Sequence, residues 1–276
     1  MNLSVREIKR RARTLMKSRV KPSPLAVALV FTVITAAASF FLGRIGGVTA
    51  IIDGERMEEL SAMAQAGQMP AWEDFLEAVE MRQPKSTTVS NMLELALQLV
   101  GVIVTAGFSL YALRHARGQG GEMGNLLDGF AQFYRVSMVY FLQSLLIMLG
   151  FCCFIIPGVR LAYGYRMTNY LLWDHPDWGP VEILRNSRLL MNGRRRKVFA
   201  MDVSFLLWII LGSVPFSLAG FCLDQTLYGS MIAALAAGCA LSAFASLYRE
   251  LSLTVYYQSA LGENINDTSE KAPWEY

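Results

Sequence analysis

The charged residues within or at the edge of long apolar stretches of this chain include Arg166, Asp202, Arg249 and Glu250. An unpaired charge in hydrocarbon costs several kcal/mol, so such residues normally face a partner or water. We expect Arg166 to meet Asp202 and Glu250, while Arg249 either joins them or extends to the headgroups. These charges form either an ion-pair lock between helices or a binding site for a solute. The lock is favoured because no internal repeat or ligand motif is found.

The residue types that catalysis usually needs show no catalytic spacing. The two histidines, His115 and His175, lie in separate connecting segments, and no phosphate loop, metalloprotease or nucleophile-elbow motif is present. All the cysteines fall within apolar stretches and have no Cys-x-x-Cys spacing: Cys152, Cys153, Cys222 and Cys239. We therefore expect no enzymatic activity, no cofactor and no metal site.

Six apolar stretches must position these residues. They are Leu25–Gly43, Leu95–Leu113, Val136–Ile156, Val159–Trp173, Val203–Cys222 and Met231–Tyr248. A helix needs roughly 20 apolar residues to cross the hydrocarbon core, and backbone polar groups in lipid must be satisfied internally. The chain is 54% hydrophobic with a mean hydropathy of +0.35. The sequence predicts an all-α polytopic membrane protein with six transmembrane helices and additional interfacial helices.

Lys and Arg are distributed unevenly between the two sides that six spans would define. With both termini inside, eighteen bases lie inside and four outside, and such bases mark the cytoplasmic side. This predicts a multi-pass membrane protein with N-in and C-in topology. A cleaved signal peptide ending near Ala36–Ala38 is the alternative for the first stretch, but the charged start is too long and the apolar run continues.

The basic segments next to the spans predict contact with lipid headgroups. Residues 2–18 form an amphipathic helix with a Ser4–Glu7 capping box. The predicted headgroup contacts are Arg10, Arg11, Arg13, Lys17, Arg194, Arg195, Arg196 and Lys197. Anionic lipid is the expected partner because basic amphipathic helices bind its surface. Binding of nucleic acid is not expected beside a membrane span.

The predicted organisation is a basic N-terminal helix over 1–24, a membrane domain over 25–257 and a cytoplasmic tail over 258–276. An acidic extracytoplasmic loop occupies 45–91, with short helices after Asp53 and Pro70. Pro157 and Gly158 predict a sharp helix break before the polar fourth stretch. Small residues four apart in the last stretch, such as Ala233 and Ala237, permit close helix packing, so a homodimer or another membrane protein is a possible partner.

Several motifs resemble those of a known family. The stretches FIIPGVRLAYGYRMTNYLLWDHP and ILRNSRLLMNGRRRKVFAMDVSFLLW, with the basic N-terminal helix and a late Tyr-Tyr, resemble DUF975, a bacterial integral-membrane family of unknown function. A more distant resemblance links the chain to the membrane domain of some glycerophosphodiester phosphodiesterases. The chain departs in its longer acidic first loop and in the triple arginine after Gly193. The resemblance implies a six-helix protein of the bacterial cytoplasmic (inner) membrane without an assigned catalytic centre.

Three classes of function follow, in decreasing order of support. The first is a non-enzymatic scaffold, assembly or envelope-homeostasis factor that acts through its basic cytoplasmic surfaces. The second is a small transporter or channel with a polar path along the fourth stretch, since charged and broken segments often mark permeation paths. The third, a lipid-active enzyme, depends on the distant phosphodiesterase resemblance alone.

Overall fold

The computed structural model describes residues 4–18, 22–46, 49–52, 59–60, 62–63, 79–82, 88–224 and 228–266. Most of the described residues are helical. The elements are α1 (Val5–Met16), α2 (Pro24–Gly46), β1 (Thr49–Ile52), β2 (Val79–Arg82), α3 (Thr88–Ala116), α4 (Asp128–Ala131), α5 (Phe133–Cys153), α6 (Ile155–Gly164), α7 (Thr168–Asp174), α8 (Pro180–Leu190), α9 (Arg195–Asp224) and α10 (Tyr228–Asn266). A 3-10 turn, Met123–Leu126, precedes α4. Helix α10 continues nine residues into the predicted tail.

Four helical segments of the described chain are long and apolar enough to cross a membrane. They are Thr88–Ala116, Phe133–Cys153, Arg195–Pro215 and Ile232–Gly262. The apolar part of α2, Pro24–Ser39, is shorter, and the predicted fourth span is divided between α6 and α7, of 10 and 7 residues. The prediction of a helical fold with several candidate membrane spans is confirmed, whereas six spans are not.

The predicted fourth span returns antiparallel to α5 and is interrupted midway. Near the tip, a Cβ on Gly150 would lie 3.1 Å from the Cα of Gly158. At the opposite end, Arg135 Nη2 donates a hydrogen bond of 2.5 Å to the carbonyl of His175. The turn at 165–167 divides the returning segment into α6 and α7. Helix α5 and the α6–α7 pair therefore form a helical hairpin.

The predicted break at Pro157 and Gly158 is wrong in position. Helix α5 ends at Cys153, and Phe154 is extended, with φ −170° and ψ 160°. Pro157 then lies in the first turn of α6, where its missing N–H removes no helical hydrogen bond. Gly158 serves close packing instead, because a Cβ there would lie 2.5 Å from the ring of Phe151.

The chain divides into two compact units, and the smaller one spans Ala36–Leu99. Within it, β1 and β2 pair antiparallel, with Thr49 opposite Arg82. This two-stranded sheet was not predicted, although the β-branched residues of β1 suit a strand. Of the short helix predicted after Asp53, residues 59–60 and 62–63 are helical. The rest of that helix and the one predicted after Pro70 lie outside the described residues.

The larger unit comprises Met1–Thr35 and Val100–Tyr276. Its core includes several large side chains that are no more than 2% exposed, among them Tyr111, Tyr170 and Tyr257. By contrast, α5 and α9 expose many apolar side chains, including all the residues of 206–211. Contiguous apolar surface of this extent is unusual on a soluble protein and suits contact with lipid.

Candidate functional site

Asp202 lies between two arginines from different segments. Its Oδ1 is 3.5 Å from Arg166 Nη2 and 3.2 Å from Arg249 Nε. Arg166 lies in the turn between α6 and α7, Asp202 on α9 and Arg249 on α10. One carboxylate that is 17% exposed thus joins three parts of the larger unit. The structure brings together three of the four predicted cluster residues, which we call the Asp202 lock.

Glu250 stands apart from the Asp202 lock. Its Oε1 accepts a hydrogen bond of 2.8 Å from the Tyr170 hydroxyl, and no described Arg166–Glu250 ion pair is found. Arg249 and Glu250 are neighbours on a helix, so their side chains diverge by about 100°. The predicted pairing of Arg166 with Glu250 is therefore wrong, because Arg249 faces Asp202 on α9 whereas Glu250 faces the buried ring of Tyr170 on α7.

A second polar network surrounds Asp174 at the end of α7. Arg117 donates from Nη1 to Asp174 Oδ1 at 2.6 Å and from Nη2 to Oδ2 at 2.7 Å. The Tyr257 hydroxyl donates to Oδ2 at 2.8 Å. These hydrogen bonds raise the pKa of the Arg117 guanidinium. The bidentate geometry is the strong form of an arginine–carboxylate pair, so this network fastens α10 and the end of α3 to α7.

A cavity of about 480 Å³ adjoins this network. Its polar lining includes Arg114 and Arg117 with Asp128 and Asp174, and Arg114 Nη1 lies 3.2 Å from Asp128 Oδ2. Each arginine therefore already has a carboxylate partner, and the lining suits water or a small zwitterionic group. Among the described residues, no group of three or more His, Cys, Asp and Glu is placed to hold a metal ion.

Helix α1 is packed onto the rest of the larger unit by its apolar face. The Ser4 hydroxyl accepts a hydrogen bond of 3.2 Å from the Glu7 backbone N–H, which begins the helix as the capping box predicted. Ile8 and Ala12, one turn apart, are 1% and 0% exposed. Arg13 Nε donates to the Tyr248 hydroxyl of α10 at 3.0 Å. The basic helix is therefore docked against α10.

Four bases of α1 and its C-cap remain at the surface. Arg10 and Arg11 contact Glu7 Oε1 at 2.9 and 3.4 Å, and hydrogen bonding to Arg10 is the largest cause of the lowered pKa of Glu7. Arg6 and the C-cap residue Lys17 are also exposed, whereas Lys9 is half-buried. The exposed basic face of α1 is therefore defined as Arg6, Arg10, Arg11 and Lys17.

The predicted basic anchor at 194–197 contains both half-buried and exposed residues. Arg194 Nη1 donates to the carbonyl of Ala260 at 3.4 Å, which links the start of α9 to α10. Arg195 and Lys197 are half-buried, whereas Arg196 is exposed. Arg194 therefore contacts protein, and Arg196 presents its side chain to the surroundings.

Neither the Asp174 network nor the placement of Arg160 and Arg188 near each other was predicted from the sequence. A signal for the former was present, because Asp174 ends an apolar stretch and lies among connections rich in arginine. No comparable signal exists for Tyr257, whose hydroxyl reaches Asp174 across 83 residues of sequence. Arg160 and Arg188 come together by packing of α6 on α8, which sequence periodicity does not predict.

Comparison with known proteins identifies the family. The model of the family described as "Protein of unknown function (DUF975)" matches residues 1–264, nearly all of the 276 residues. No curated protein and no solved structure matches the chain. The likeness to phosphodiesterase membrane domains therefore stays a sequence-based expectation. Because the family model covers the chain almost from end to end, the protein belongs to the DUF975 family.

Proposed function

We propose that the chain is a non-enzymatic integral protein of the bacterial cytoplasmic membrane. In this proposal it is a scaffold, assembly or envelope-homeostasis factor that holds anionic lipid and neighbouring membrane proteins at its inner surface. The docking of α1 carries the proposal. With Ile8 and Ala12 buried, the exposed basic face has a fixed orientation, as expected of a surface that binds headgroups.

The proposed topology has six membrane segments with both termini inside. The asymmetry of eighteen bases to four supports it. The hairpin supports it as well, because the contact between Arg135 and the His175 carbonyl brings the two ends of the hairpin together. In this reading α6 and α7 jointly form the fourth segment, and the connections before α5 and after α7 lie on the same cytoplasmic side.

The proposed protein partner is a second copy of the chain or another membrane protein. Ala233, Ala237 and Ala240 of α10 are exposed, and small side chains let helix backbones approach closely. These residues lie on the apolar segment Ile232–Gly262. A close helix contact would cover this surface, and the basic face of α1 would remain available to headgroups.

The headgroup contact of α1 can be tested in nanodiscs that contain equal amounts of anionic and zwitterionic phospholipid. We expect the full chain to retain anionic lipid, as measured by native mass spectrometry. Replacing Arg6, Arg10 and Arg11 by Gln should lower that preference about tenfold. Each base near an anionic surface contributes about 1 kcal/mol, and the contributions of Arg10 and Arg11 are smaller because both also contact Glu7.

A variant with Arg44, Arg56 and Arg82 replaced by Gln provides the matched control, since it removes three bases from the predicted outer connection. The control should keep the anionic preference. An equal loss of the anionic preference in both triple variants would show that the effect depends on net charge alone, and it would contradict a dedicated basic face. An unchanged preference in the α1 variant would exclude that face as the headgroup contact.

A transporter or channel remains the second candidate, and the hairpin favours it. Inside the hairpin region, Ser137 Oγ, Gln143 Oε1 and Arg166 Nε are buried and lack a hydrogen-bond partner within the described part of the chain. The returning segment is interrupted at 165–167, and interrupted helices in membrane proteins often line solute paths. Flux of ions or small solutes above that of protein-free liposomes would favour this function over the scaffold.

A further inference from the structure

Three arginines from three helices surround Gly164 at the end of α6. A Cβ on Gly164 would lie 3.7 Å from Arg188 Cγ of α8 and 3.7 Å from Arg195 Nη2 at the start of α9. Arg160 lies one helical turn before Gly164 on α6 and is close enough to Arg195, as is Arg188, to repel it electrostatically. The arginines therefore form a compact cluster of like charge, which we call the Gly164 arginine cluster.

The charge of this cluster is not balanced within the described part of the chain. No described acid lies within salt-bridge distance of Arg160, Arg188 or Arg195, whereas Arg166 and Arg117 each have an aspartate partner. Arg195 Nε is buried and has no hydrogen-bond partner among the residues that the structure describes. A buried donor without a partner costs about 1–3 kcal/mol, and three adjacent cations add repulsion. An anion would relieve both costs.

The chemistry of the cluster selects the kind of anion. A guanidinium presents paired N–H donors that match the oxygens of a phosphate group. Helix α9 begins at Arg195 and runs for 30 residues, so its first backbone N–H groups and its dipole add favourable charge at the same place. The side chains of Arg160 and Arg188 are exposed, so a ligand can reach the cluster from the surface of the protein.

We propose that the Gly164 arginine cluster binds a phosphate group, with Arg195 as its central donor and Arg160 and Arg188 on either side. The group is either the phosphate of a membrane phospholipid or free inorganic phosphate. The lipid reading rests on the proposed function, because it requires the cluster to contact the bilayer. The free-phosphate reading does not require that contact.

The experiment uses the full chain and has two arms. In the first, inorganic phosphate is added to detergent-purified protein and the melting temperature is followed, with chloride at equal ionic strength as the reference. In the second, nanodiscs of phosphatidylcholine are compared with discs that also contain phosphatidylglycerol, and bound lipid is counted by native mass spectrometry. Stabilisation in the first arm identifies free phosphate as a ligand, and retained phosphatidylglycerol in the second identifies lipid.

Arg195→Gln should reduce binding at least tenfold in whichever arm gives a signal, since it removes the central donor. Arg185→Gln removes the same charge from an exposed position of α8 that lies outside the cluster, and it should leave binding within about twofold of the original. Arg195→Lys keeps the charge but loses the paired donors, and should give an intermediate affinity. Circular dichroism and size exclusion identify any variant that misfolds, and Arg188→Gln then replaces it.

Equal losses in Arg195→Gln and Arg185→Gln would overturn the proposal, as would the absence of a signal in both arms. The basic face of α1 is unchanged in these variants. Loss of phosphate binding with an intact lipid preference of α1 would therefore separate this site from the proposed function. If the α1 variant alone loses anionic lipid, the headgroup role belongs to α1 and the Gly164 arginine cluster is excluded as a lipid site.

Discussion

Replacing Asp202 by asparagine is expected to cost about 2 kcal/mol of unfolding free energy, a value below the usual cost of breaking a buried pair because the carboxylate is partly solvated. The substitution keeps the shape of the side chain but leaves Arg166 and Arg249 without the acid that both contact at 3.5 and 3.2 Å. Thermal unfolding of the detergent-purified protein, followed by circular dichroism, measures the effect. Glu250→Gln is the matched control.

The control should lose about 1 kcal/mol or less, since an amide oxygen at residue 250 still accepts the hydrogen bond from Tyr170. A charge exchange tests the pairing directly. Arg166→Asp combined with Asp202→Arg should recover part of the stability that either single change removes. Exchange between Arg166 and Glu250 should give no recovery. Equal recovery by both exchanges would show that the Asp202 lock is not the pairing in solution.

Gly107→Ala should destabilise the protein by about 2 kcal/mol, because overpacking that displaces backbone typically costs 1–3 kcal/mol. A Cβ on Gly107 would lie 2.6 Å from the carbonyl oxygen of Asn125 and closer still to that of Leu126. The 3-10 turn would have to move away from α3. That movement would also weaken the 2.6 Å hydrogen bond from Arg114 to Asn125.

Gly101→Ala provides the control on the same helix. A Cβ there meets nothing within 4 Å, and alanine is favoured over glycine in a helix by up to about 1 kcal/mol. We therefore expect its melting temperature to stay the same or to rise, whereas that of Gly107→Ala falls. A similar decrease in both variants would mean that the 3-10 turn does not pack against α3 as described.

Local signals predicted the start of α1 and the existence of the long helices. Ser4 and Glu7 mark the first turn of α1, and the long apolar runs correspond to α3, α5, α9 and α10. The interruption at 165–167 was missed because its stabilisation is tertiary. Ser187 Oγ, from α8, donates to the carbonyl of Gly164 at 3.0 Å, and Thr168 Oγ1 donates to the carbonyl of Tyr165 at 2.7 Å. Carbonyls freed by the interruption are thus satisfied in part by a residue 23 positions away.

The candidate site was predictable in its residue types but not in its pairing. Charges in apolar stretches indicated that Arg166 needs an acid, and two acids were available at comparable depths. The helical phase of α10 then decided between them. It directs Arg249 towards Asp202 and turns the adjacent Glu250 towards Tyr170 instead. The Gly164 arginine cluster lay beyond sequence analysis for a related reason. Its members come from three helices whose relative packing no local pattern encodes.

The measurement that tests the central claim most directly is the labelling of single cysteines in whole cells, after Cys152, Cys153, Cys222 and Cys239 have been replaced by serine. With a membrane-impermeant maleimide, we expect Glu59→Cys to react in intact cells, and Gln119→Cys and Asp177→Cys to react only after permeabilisation. That result places the acidic connection outside and both ends of the hairpin inside, next to the basic surfaces. Labelling of Asp177→Cys in intact cells would contradict the returning fourth segment, and with it the account of a basic inner surface.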